Sequence, residues 1–460
     1  MVRASQQEYE SPSPPPLADP QWNLRAPLEP SPRLHNEPDT PQHYHLTCPA
    51  CGATFEDDGY RLECTACPGP SLLQARYTAQ DLAIRREQTG LDRYRSWLPV
   101  RRSLAGSSST VTYRSQQLCS LTGLPNLWIA FNGFWPERNA RLLSGSFKEL
   151  EAFCVLARLP SDNRRTMVIA SAGNTAAAFA RIASLHQVPC LIVIPQSGLD
   201  CMLFDQPIDP CIQLVTITGN GDYADAIRLG QHASALPGFF AEGGARNVAR
   251  RAGLGTVLLN AFETIGRLPH YYFQAIGSGT GAIAVHEYAR QLAGPQGTVP
   301  RLYLSQNTPF TPIYNAWSAA SPICPSLSEP QAKRQIAKMD AQVLANRNPP
   351  YTIRGGLYEA LLESRGSVLA VTNAQARHAA QLFQQTEAID IEPAAAVAFA
   401  SLLAQAPHIP PGAAVLLNIT GGGRQRFRND RNPTPIRPSL SIAPEAIDSP
   451  ATMQQIAALF

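Results

Sequence analysis

One lysine of this chain stands where an amine can act as a nucleophile. Lys148 ends a stretch of mostly small residues, 144–148, and a predicted helix follows over residues 149–159. An amine is nucleophilic only when it is neutral, and partial burial lowers the pKa of a lysine. The pattern therefore predicts a lysine that forms a Schiff base with a carbonyl compound. An ordinary lysine on an amphipathic helix is the alternative.

A turn of small and polar residues separates a predicted strand at 167–170 from a predicted helix at 176–183. Such a turn presents backbone N–H groups and the positive end of the helix dipole, which favour an anion such as a carboxylate. The Asn174 side-chain amide can also bind a hydroxyl or phenolate oxygen. The predicted substrate-binding residues of this substrate turn are Ser171, Gly173, Asn174 and Thr175. A plain turn with a Ser or Thr helix cap is the alternative.

A glycine-rich loop follows the predicted strand at 271–276. Its residues are Gly277, Ser278, Gly279, Thr280 and Gly281, and a helix is predicted to follow from Ala282. Glycines let a backbone approach a phosphate closely, and successive N–H groups with two hydroxyls can cradle it. The loop lacks the Lys-Ser/Thr ending of a nucleotide P-loop. We therefore predict that this glycine loop binds the phosphate of a cofactor.

The order of lysine, amide turn and phosphate loop resembles the fold-type II pyridoxal-phosphate (PLP) enzymes, such as threonine synthase, cysteine synthase and serine dehydratase. The resemblance implies that Lys148 binds the cofactor covalently, Asn174 contacts its O3′ oxygen, and residues 277–281 hold its phosphate. The stretch 416–423 resembles the strand end whose threonine faces the pyridine nitrogen, which makes Thr420 the candidate. A turn residue before three glycines is the alternative for Thr420.

Longer stretches are similar to the archaeal cysteate synthases. Threonine synthases follow the lysine with Asp-Arg, whereas Glu149 and Leu150 stand here. The similarity extends from about residue 46 to residue 423, and its stretches are 96–100, 146–152, 242–251, 273–281, 314–317 and 355–358. It implies a β-replacement in which O-phospho-L-serine, a small amino-acid substrate, reacts with sulfite, a small anionic nucleophile, to give L-cysteate and phosphate. Lys148 would remove the Cα proton.

Three alternatives to this reaction stay open. The chain could be a threonine synthase-like lyase acting on O-phosphohomoserine, or its β-replacement could use a different nucleophile. It could also be a catalytically silent relative that serves binding. The missing Asp-Arg after Lys148 counts against the lyase, and the intact lysine and glycine loop count against the silent relative.

Three arginines fall in one short stretch: Arg246, Arg250 and Arg251. Arg246 and Arg250 would share a face if the stretch were helical, because they are four residues apart. Guanidinium groups suit a dianionic phosphate or a sulfonate. Asn247 resembles the asparagine of the threonine-synthase Asn-x-x-Arg stretch. Arg246, Asn247 and Arg250 are therefore predicted to bind the substrate, with a solvated or ion-paired surface as the alternative.

Four cysteines in two Cys-x-x-Cys pairs predict a tetrahedral thiolate site of the zinc-ribbon type: Cys48, Cys51, Cys64 and Cys67. We predict a structural Zn²⁺ there, with unrelated or disulfide-forming cysteines as the alternative. The other six cysteines are scattered, mostly in apolar surroundings, which indicates reduced thiols and a cytoplasmic protein.

Composition favours a large enzyme over a nucleic-acid or membrane protein. The 460 residues are 44% hydrophobic, and the net charge of +3 is too small to indicate nucleic acid or an anionic membrane as a partner. No apolar run reaches membrane-spanning length, and the N-terminus lacks the apolar core of a signal peptide.

Alternating strands and helices past Gln74 predict an α/β protein with two doubly wound domains. Residues 1–44 form a predicted disordered, proline-rich arm, and residues 45–72 a four-cysteine, zinc-ribbon-like knuckle. The resemblance implies a cofactor-binding large domain from 73–159 and 266–440, with a smaller α/β domain, 160–265, inserted in it. Residues 441–460 would be a C-terminal tail, and a homodimer or higher homo-oligomer is expected.

Overall fold

Strands alternate with helices through residues 39–460, which the computed structural model describes. The strands are, in chain order, β1 (Tyr44–Thr47), β2 (Thr54–Phe55), β3 (Gln74–Tyr77), β4 (Val111–Arg114), β5 (Leu127–Phe131), β6 (Phe134–Trp135), β7 (Ala140–Arg141), β8 (Thr166–Ala170), β9 (Cys190–Pro195), β10 (Leu203–Phe204), β11 (Ile212–Ile217), β12 (Phe239–Ala241), β13 (Tyr271–Ala275), β14 (Arg301–Asn307), β15 (Ser367–Val371), β16 (Val415–Ile419), β17 (Thr434–Pro435) and β18 (Leu440–Ile442). Residues 1–38 of the arm that was predicted for residues 1–44 are outside the part of the chain that the structure describes.

The helices connect these strands. They are, in chain order, α1 (Gln116–Thr122), α2 (Lys148–Arg158), α3 (Asn174–Leu185), α4 (Tyr223–Ser234), α5 (Val248–Ile265), α6 (Thr280–Ala293), α7 (Pro312–Ser318), α8 (Glu329–Ile336), α9 (Leu357–Glu363), α10 (Asn373–Glu387), α11 (Pro393–Gln405), α12 (Arg424–Arg431) and α13 (Pro450–Ala457). Within residues 39–460, no helix combines the length and apolar character that crossing a membrane requires.

A six-stranded sheet forms the core of the larger half. Its strand order is β15-β14-β13-β16-β5-β4, and every neighbouring pair is parallel except β4 with β5. Strand β16 is buried at every position, and α11 packs across β13, β14 and β16. Uninterrupted apolar strands are typical of a parallel sheet that helices cover on both faces. The loops at the carboxyl ends of such strands are where α/β proteins bind ligands.

A five-stranded sheet forms the smaller half, with the order β12-β8-β9-β11-β18 and every neighbouring pair parallel. Helix α4 packs against β8 and β9, and α3 packs against β9. Together the two sheets confirm the predicted class, an α/β protein with two doubly wound sheets, of which the larger is parallel except for its edge strand β4.

The C-terminal segment, expected to be a tail, contributes to the smaller sheet instead. Strand β18 pairs in parallel with β11, from Val215 opposite Leu440 to Ile217 opposite Ile442. Helix α13 packs against α4, and Ile447 and Ile456 are fully buried. These apolar side chains explain why the chain returns to this sheet, since their burial is worth about 2 kcal/mol each.

The N-terminal knuckle is a three-stranded antiparallel sheet in the order β2-β1-β3. A buried ion pair joins it to the helix that begins at Lys148. Arg158, the last residue of α2, donates from Nε and Nη2 to the two Asp57 carboxylate oxygens at 2.8 and 2.7 Å. The Tyr44 hydroxyl donates to the same carboxylate at 2.7 Å. The knuckle is therefore packed onto the larger half through hydrogen-bonded charges.

Candidate active site

The loop before Lys148 lies beside the end of β16. Phe147 donates its backbone N–H to the Thr420 carbonyl at 2.9 Å, and Gly422 donates to the Gly145 carbonyl at 3.0 Å. Ser146 and Gly421 form an antiparallel bridge between the two segments. Thr420 is buried, as the strand-end position requires. The sequence-predicted lysine and threonine are thus brought together, although 272 residues of sequence separate them.

Lys148 opens α2 and is largely buried, with 22% of its side chain exposed. Its Nζ lies 3.3 Å from Oε2 of Glu151, one helical turn further on. Burial lowers the pKa of Lys148, while Glu151 raises it and Arg250 lowers it. A lysine with a lowered pKa has a larger neutral fraction, which is the form that attacks carbonyl carbon and accepts protons.

The substrate turn lies at the carboxyl end of β8, and α3 begins inside it at Asn174. Ser171 Oγ accepts the backbone N–H groups of Gly173 at 3.0 Å and Ala176 at 3.1 Å. The first-turn amides of a helix have no intrahelical acceptor, so those of Asn174 and Thr175 are suited to a carboxylate. Gly173 has φ of 150°, and a Cβ there would lie 2.9 Å from Cys201 Sγ.

The Asn174 side chain belongs to a polar group that the sequence did not indicate. Its Nδ2 donates to Glu392 Oε2 at 2.6 Å, and Arg424 Nη2 donates to its Oδ1 at 2.8 Å. Arg424 and Glu392 also form an ion pair. Arg424 further packs beside Gly145, where an added Cβ would meet its Cγ at 3.3 Å. Asn174 is thus held in one orientation beside the loop that carries Lys148.

The glycine loop follows β13, and α6 begins inside it at Thr280. Gly279 has φ of 81°, a left-handed conformation that favours glycine. A Cβ at Gly277 would lie 2.9 Å from the Leu344 carbonyl oxygen, and one at Gly281 would lie 2.8 Å from the Gln274 side chain. The Ser278 and Thr280 hydroxyls are 2.8 Å apart. The loop therefore presents two hydroxyls and a helix N-terminus on a backbone that side chains would obstruct, as a phosphate site requires.

These residues fit pyridoxal phosphate. Lys148 Nζ would bond to its aldehyde carbon, and the glycine loop would hold its phosphate. The Asn174 amide and the Thr420 hydroxyl would be partners for its O3′ oxygen and its ring nitrogen. Ser146 Oγ, two residues before Lys148, is buried with no hydrogen-bond partner among the described residues, so the site has an unused polar group. A cavity of about 820 Å³ lies beside the substrate turn, and Asn174, Tyr223, Glu392 and Arg424 contribute to its wall, whereas Lys148, Thr420 and the glycine loop do not.

The structure separates the three residues predicted to bind the substrate phosphate. Arg246 precedes α5, which begins at Val248, so it does not share a helical face with Arg250. Arg246 is exposed and pairs with Glu63 of the knuckle. Asn247 caps α5, accepts from Arg158 Nη1 at 2.9 Å and donates to the Glu242 carbonyl at 2.8 Å.

Arg250 does lie near Lys148, but carboxylates surround it. Its Nε and Nη2 donate to Glu242, and its Nη1 donates to Glu151 at 2.9 Å. Direct contact of Arg250 with a substrate phosphate stays a prediction. The observed contacts favour a supporting role, because all three nitrogens already donate to protein acceptors.

The four knuckle cysteines form one cluster, whose Sγ atoms all lie within 4.8 Å of one another. The Cys48–Cys67 and Cys51–Cys64 sulfur distances are 3.7 and 3.6 Å. A tetrahedral zinc with bonds of about 2.3 Å needs sulfurs about 3.8 Å apart, so this donor set fits Zn²⁺.

Comparisons with known proteins identify the family of this chain. The model of the family described as "Pyridoxal-phosphate dependent enzyme" matches residues 124–421. The cysteate synthase of Methanocella paludicola is 44% identical over 87% of this chain and 94% of its own length. The cysteate synthase of Methanosarcina mazei is 43% identical over 87% of this chain and 97% of its own length.

Solved structures support the fold alone. Maize serine racemase aligns with a TM-score of 0.52 at 17% identity, covering 68% of this chain and 88% of its own. Diaminopropionate ammonia lyase from Escherichia coli aligns with a TM-score of 0.53 at 15% identity, covering 72% and 88%. The family match over residues 124–421 and the identity to cysteate synthases along most of the chain confirm the resemblance noted in the sequence. The chain belongs to the pyridoxal-phosphate dependent enzymes and, within them, to the family of the cysteate synthases.

Proposed function

We propose that this protein catalyses the PLP-dependent β-replacement of O-phospho-L-serine by sulfite, giving L-cysteate and phosphate. The observation that carries the proposal is the position of Lys148. In a chain 44% identical to a cysteate synthase, the loop that carries this lysine is hydrogen-bonded to the Thr420 strand end, and Glu151 joins the lysine to the substrate turn. Bound pyridoxal phosphate would supply the electron sink that makes the substrate Cα proton acidic and lets a group leave from Cβ.

Each part of the site has a proposed role. Lys148 would bind the cofactor through Nζ, and Gly277, Ser278, Gly279, Thr280 and Gly281 would hold its phosphate. Thr420 would face the ring nitrogen, and a neutral hydroxyl there favours loss of a group from Cβ over transamination. Ser171, Gly173, Asn174 and Thr175 would bind the substrate carboxylate, since Ser171 Oγ already orders the turn and first-turn amides favour anions.

Lys148 also serves as the proposed base. With its amine free, the neutral Nζ would accept the Cα proton of the substrate, and the resulting ammonium would return it after sulfite had added at Cβ. The lowered pKa of Lys148 favours the neutral form that this step needs. Helix α2 begins at this residue, so its Cα is fixed and only the side chain has to move.

Both the leaving group and the nucleophile are anions, so the cleft needs cationic side chains. Five cationic side chains contribute to the wall of the 820 Å³ cavity: Lys333, Arg334, Arg347, Arg424 and Arg428. Lys333, Arg347 and Arg424 are each paired with a carboxylate, and Arg424 is the one of the five with a described hydrogen bond to the substrate turn, through Asn174. Arg424 is therefore the proposed first cation that an entering anion meets beside Asn174.

Arg250→Ala should slow turnover of O-phosphoserine and of O-acetylserine by similar factors, because Arg250 donates to Glu242 and Glu151. Steady-state kcat/KM with each substrate checks this, and the uncharged leaving group of O-acetylserine is the internal control. If Arg250 held the departing phosphate, its loss would instead cost about 2–4 kcal/mol, a hundredfold or more, with O-phosphoserine only.

We propose further that Cys48, Cys51, Cys64 and Cys67 hold one structural zinc ion, supported by the spacing of their sulfurs. Elemental analysis should find about one zinc per chain, and Cys51→Ser should lower both the zinc content and the thermal midpoint. We expect the folded fraction to keep its kcat, since the knuckle contributes no described side chain to the cavity wall. Cys324→Ser, outside the cluster, is the control. Purified protein without metal, or Cys51→Ser with unchanged zinc and stability, would contradict the site.

The function itself is tested with a panel of amino-acid substrates at fixed sulfite. Protein loaded with PLP is given O-phosphoserine, O-phosphohomoserine or O-acetylserine, and the released anion and the amino-acid product are quantified. We expect the highest kcat/KM with O-phosphoserine. Threonine formed from O-phosphohomoserine at a higher kcat/KM would favour the threonine synthase-like alternative, and no product with any substrate would favour a binding protein. A cytoplasmic homo-oligomer stays a prediction beside this function.

A further inference from the structure

Glu151 is a buried carboxylate on which three parts of the site converge. It lies one turn after Lys148 on α2, and its side chain is fully buried. Its Oε2 is 3.3 Å from Lys148 Nζ, and its Oε1 accepts Arg250 Nη1 at 2.9 Å and Thr175 Oγ1 at 2.9 Å. One carboxylate thus joins the cofactor lysine, the buried arginine and the substrate turn.

The charges around Glu151 balance only when Lys148 carries a proton. Arg250 is shared between two carboxylates, Glu151 and Glu242. The cluster therefore holds two negative charges and one fixed positive charge, and the ammonium form of Lys148 makes it neutral. A buried charge is costly unless it is paired, so this arrangement stabilises the protonated amine against the burial that disfavours it.

Two further titratable groups of the described residues lie within electrostatic range of this cluster. Cys190, the first residue of β9, interacts with Glu242, and burial raises the pKa of its thiol, so it stays neutral. Tyr223, the first residue of α4, lies within electrostatic range of Arg250, Glu242 and Glu151, and burial raises the pKa of its phenol. A phenol with a raised pKa stays neutral, so Tyr223 does not change the charge balance. Glu151, Glu242 and Arg250 set the field at Lys148 Nζ.

We infer that Glu151 is a positioning residue for the proton transfer: it orients Lys148 Nζ, stabilises the proton that Nζ takes from the substrate Cα, and ties this lysine to the substrate turn through Thr175. This inference rests on the proposed function, in which Lys148 is the cofactor lysine and the base. The carboxylate acts through Lys148 and Thr175 and does not itself touch the reacting carbon. No bond to Glu151 forms or breaks.

The contacts give Glu151 a role that burial alone would not. Glu149, two residues earlier on the same helix, is also buried, but its carboxylate accepts the Ser144 backbone N–H at 2.7 Å, and no described cation lies within ion-pair distance of it. Glu151 instead receives two cations and a hydroxyl from three different elements. A side chain that only filled space would need none of these partners.

The test is Glu151→Gln, which keeps the shape and an acceptor for Thr175 but removes the charge. We expect kcat to fall about a hundredfold while KM changes less than threefold, because the base loses the group that stabilises its proton. Loss of an attractive carboxylate lowers the pKa of Lys148, so the acid limb of the kcat profile should move to lower pH by about one unit. Glu151→Asp, which keeps the charge, should recover most of kcat.

A spectroscopic titration gives a readout that does not depend on turnover. The protonated form of the lysine–cofactor linkage absorbs visible light, and the midpoint of its pH titration should move to lower pH in Glu151→Gln. The matched control is Glu263→Gln, since Glu263 lies on α5 and forms an ion pair with Arg93. This variant should leave the midpoint unchanged. If Glu151→Gln fails to fold, Glu242→Gln should give a smaller shift in the same direction.

An unchanged kcat and titration midpoint in Glu151→Gln, or in Glu242→Gln where only that variant folds, would overturn the inference. So would a loss of activity that Glu151→Asp does not recover. Wild-type protein that shows no visible band with pyridoxal phosphate would instead overturn the assignment of Lys148, on which the inference rests. The two failures are therefore distinguishable.

Discussion

Lys148→Ala should abolish turnover and remove the visible absorbance of the bound cofactor. The lysine supplies both the covalent link and the base, and loss of a general base alone costs about 10²–10⁴-fold in rate. The cofactor should still bind weakly, since the glycine loop that would hold its phosphate is untouched. Absorbance spectra and a product assay check both halves of this expectation.

Peptide mapping makes the lysine test sharp because the chain has three lysines, Lys148, Lys333 and Lys338. Borohydride reduction of the loaded protein should leave a pyridoxyl label on Lys148. Lys333 is engaged by Asp225 and Glu329 at 3.0 and 2.8 Å, and Lys338 is exposed, which makes Lys338→Ala a suitable control with normal activity. A label on Lys333 or Lys338 would refute the assignment.

Asp57→Ala should give the largest loss of stability among the proposed substitutions. Arg158 is fully buried, and Asp57 takes two of its hydrogen bonds. Removing one partner of a buried ion pair leaves an uncompensated charge, which costs about 3–5 kcal/mol. The Tyr44 hydroxyl would lose its acceptor as well. Thermal and urea unfolding of the variant, followed by circular dichroism, measure this loss.

The neighbouring residue provides a matched control for this stability test. Glu56 is exposed, so Glu56→Ala should change the free energy of unfolding by less than about 0.5 kcal/mol. The Asn247 cap of α5 also receives a hydrogen bond from Arg158, so Asp57→Ala should loosen the start of that helix. A variant as stable as the wild-type protein would show that the knuckle does not depend on this pair.

Strands with continuous apolar runs could be predicted from sequence. The strands predicted at 167–170 and 271–276 are β8 and β13, and each differs from its predicted bounds by one residue. Strands β4 and β15 lie at the edges of the larger sheet. Strand β4 mixes polar with apolar residues and gave no clear signal, whereas β15 is short, and its apolar run was not predicted as a strand. Strand β18 has three residues, and its partner β11 lies more than 200 residues earlier.

The substrate turn and the glycine loop were predictable because each follows a buried strand and opens a helix, an arrangement with a local sequence pattern. Their supporting charges were not. Glu392 meets Asn174 across 218 residues, and Arg250 meets Glu151 across 99. Sequence alone does not tell which of many arginines and carboxylates will pair in the core. Apart from the Glu-x-Glu stretch after Lys148, nothing in the sequence indicated that α2, α3 and α5 meet at Glu151.

The most direct measurement of the proposed reaction is the fate of isotopically labelled sulfite. Purified protein loaded with pyridoxal phosphate is given O-phosphoserine and ³⁴S-sulfite, and the products are separated by mass spectrometry while free phosphate is assayed. We expect labelled cysteate and phosphate in equal amounts, and neither in the Lys148→Ala variant. Phosphate released without label in the amino-acid product, or no phosphate released from O-phosphoserine, would contradict the β-replacement by sulfite.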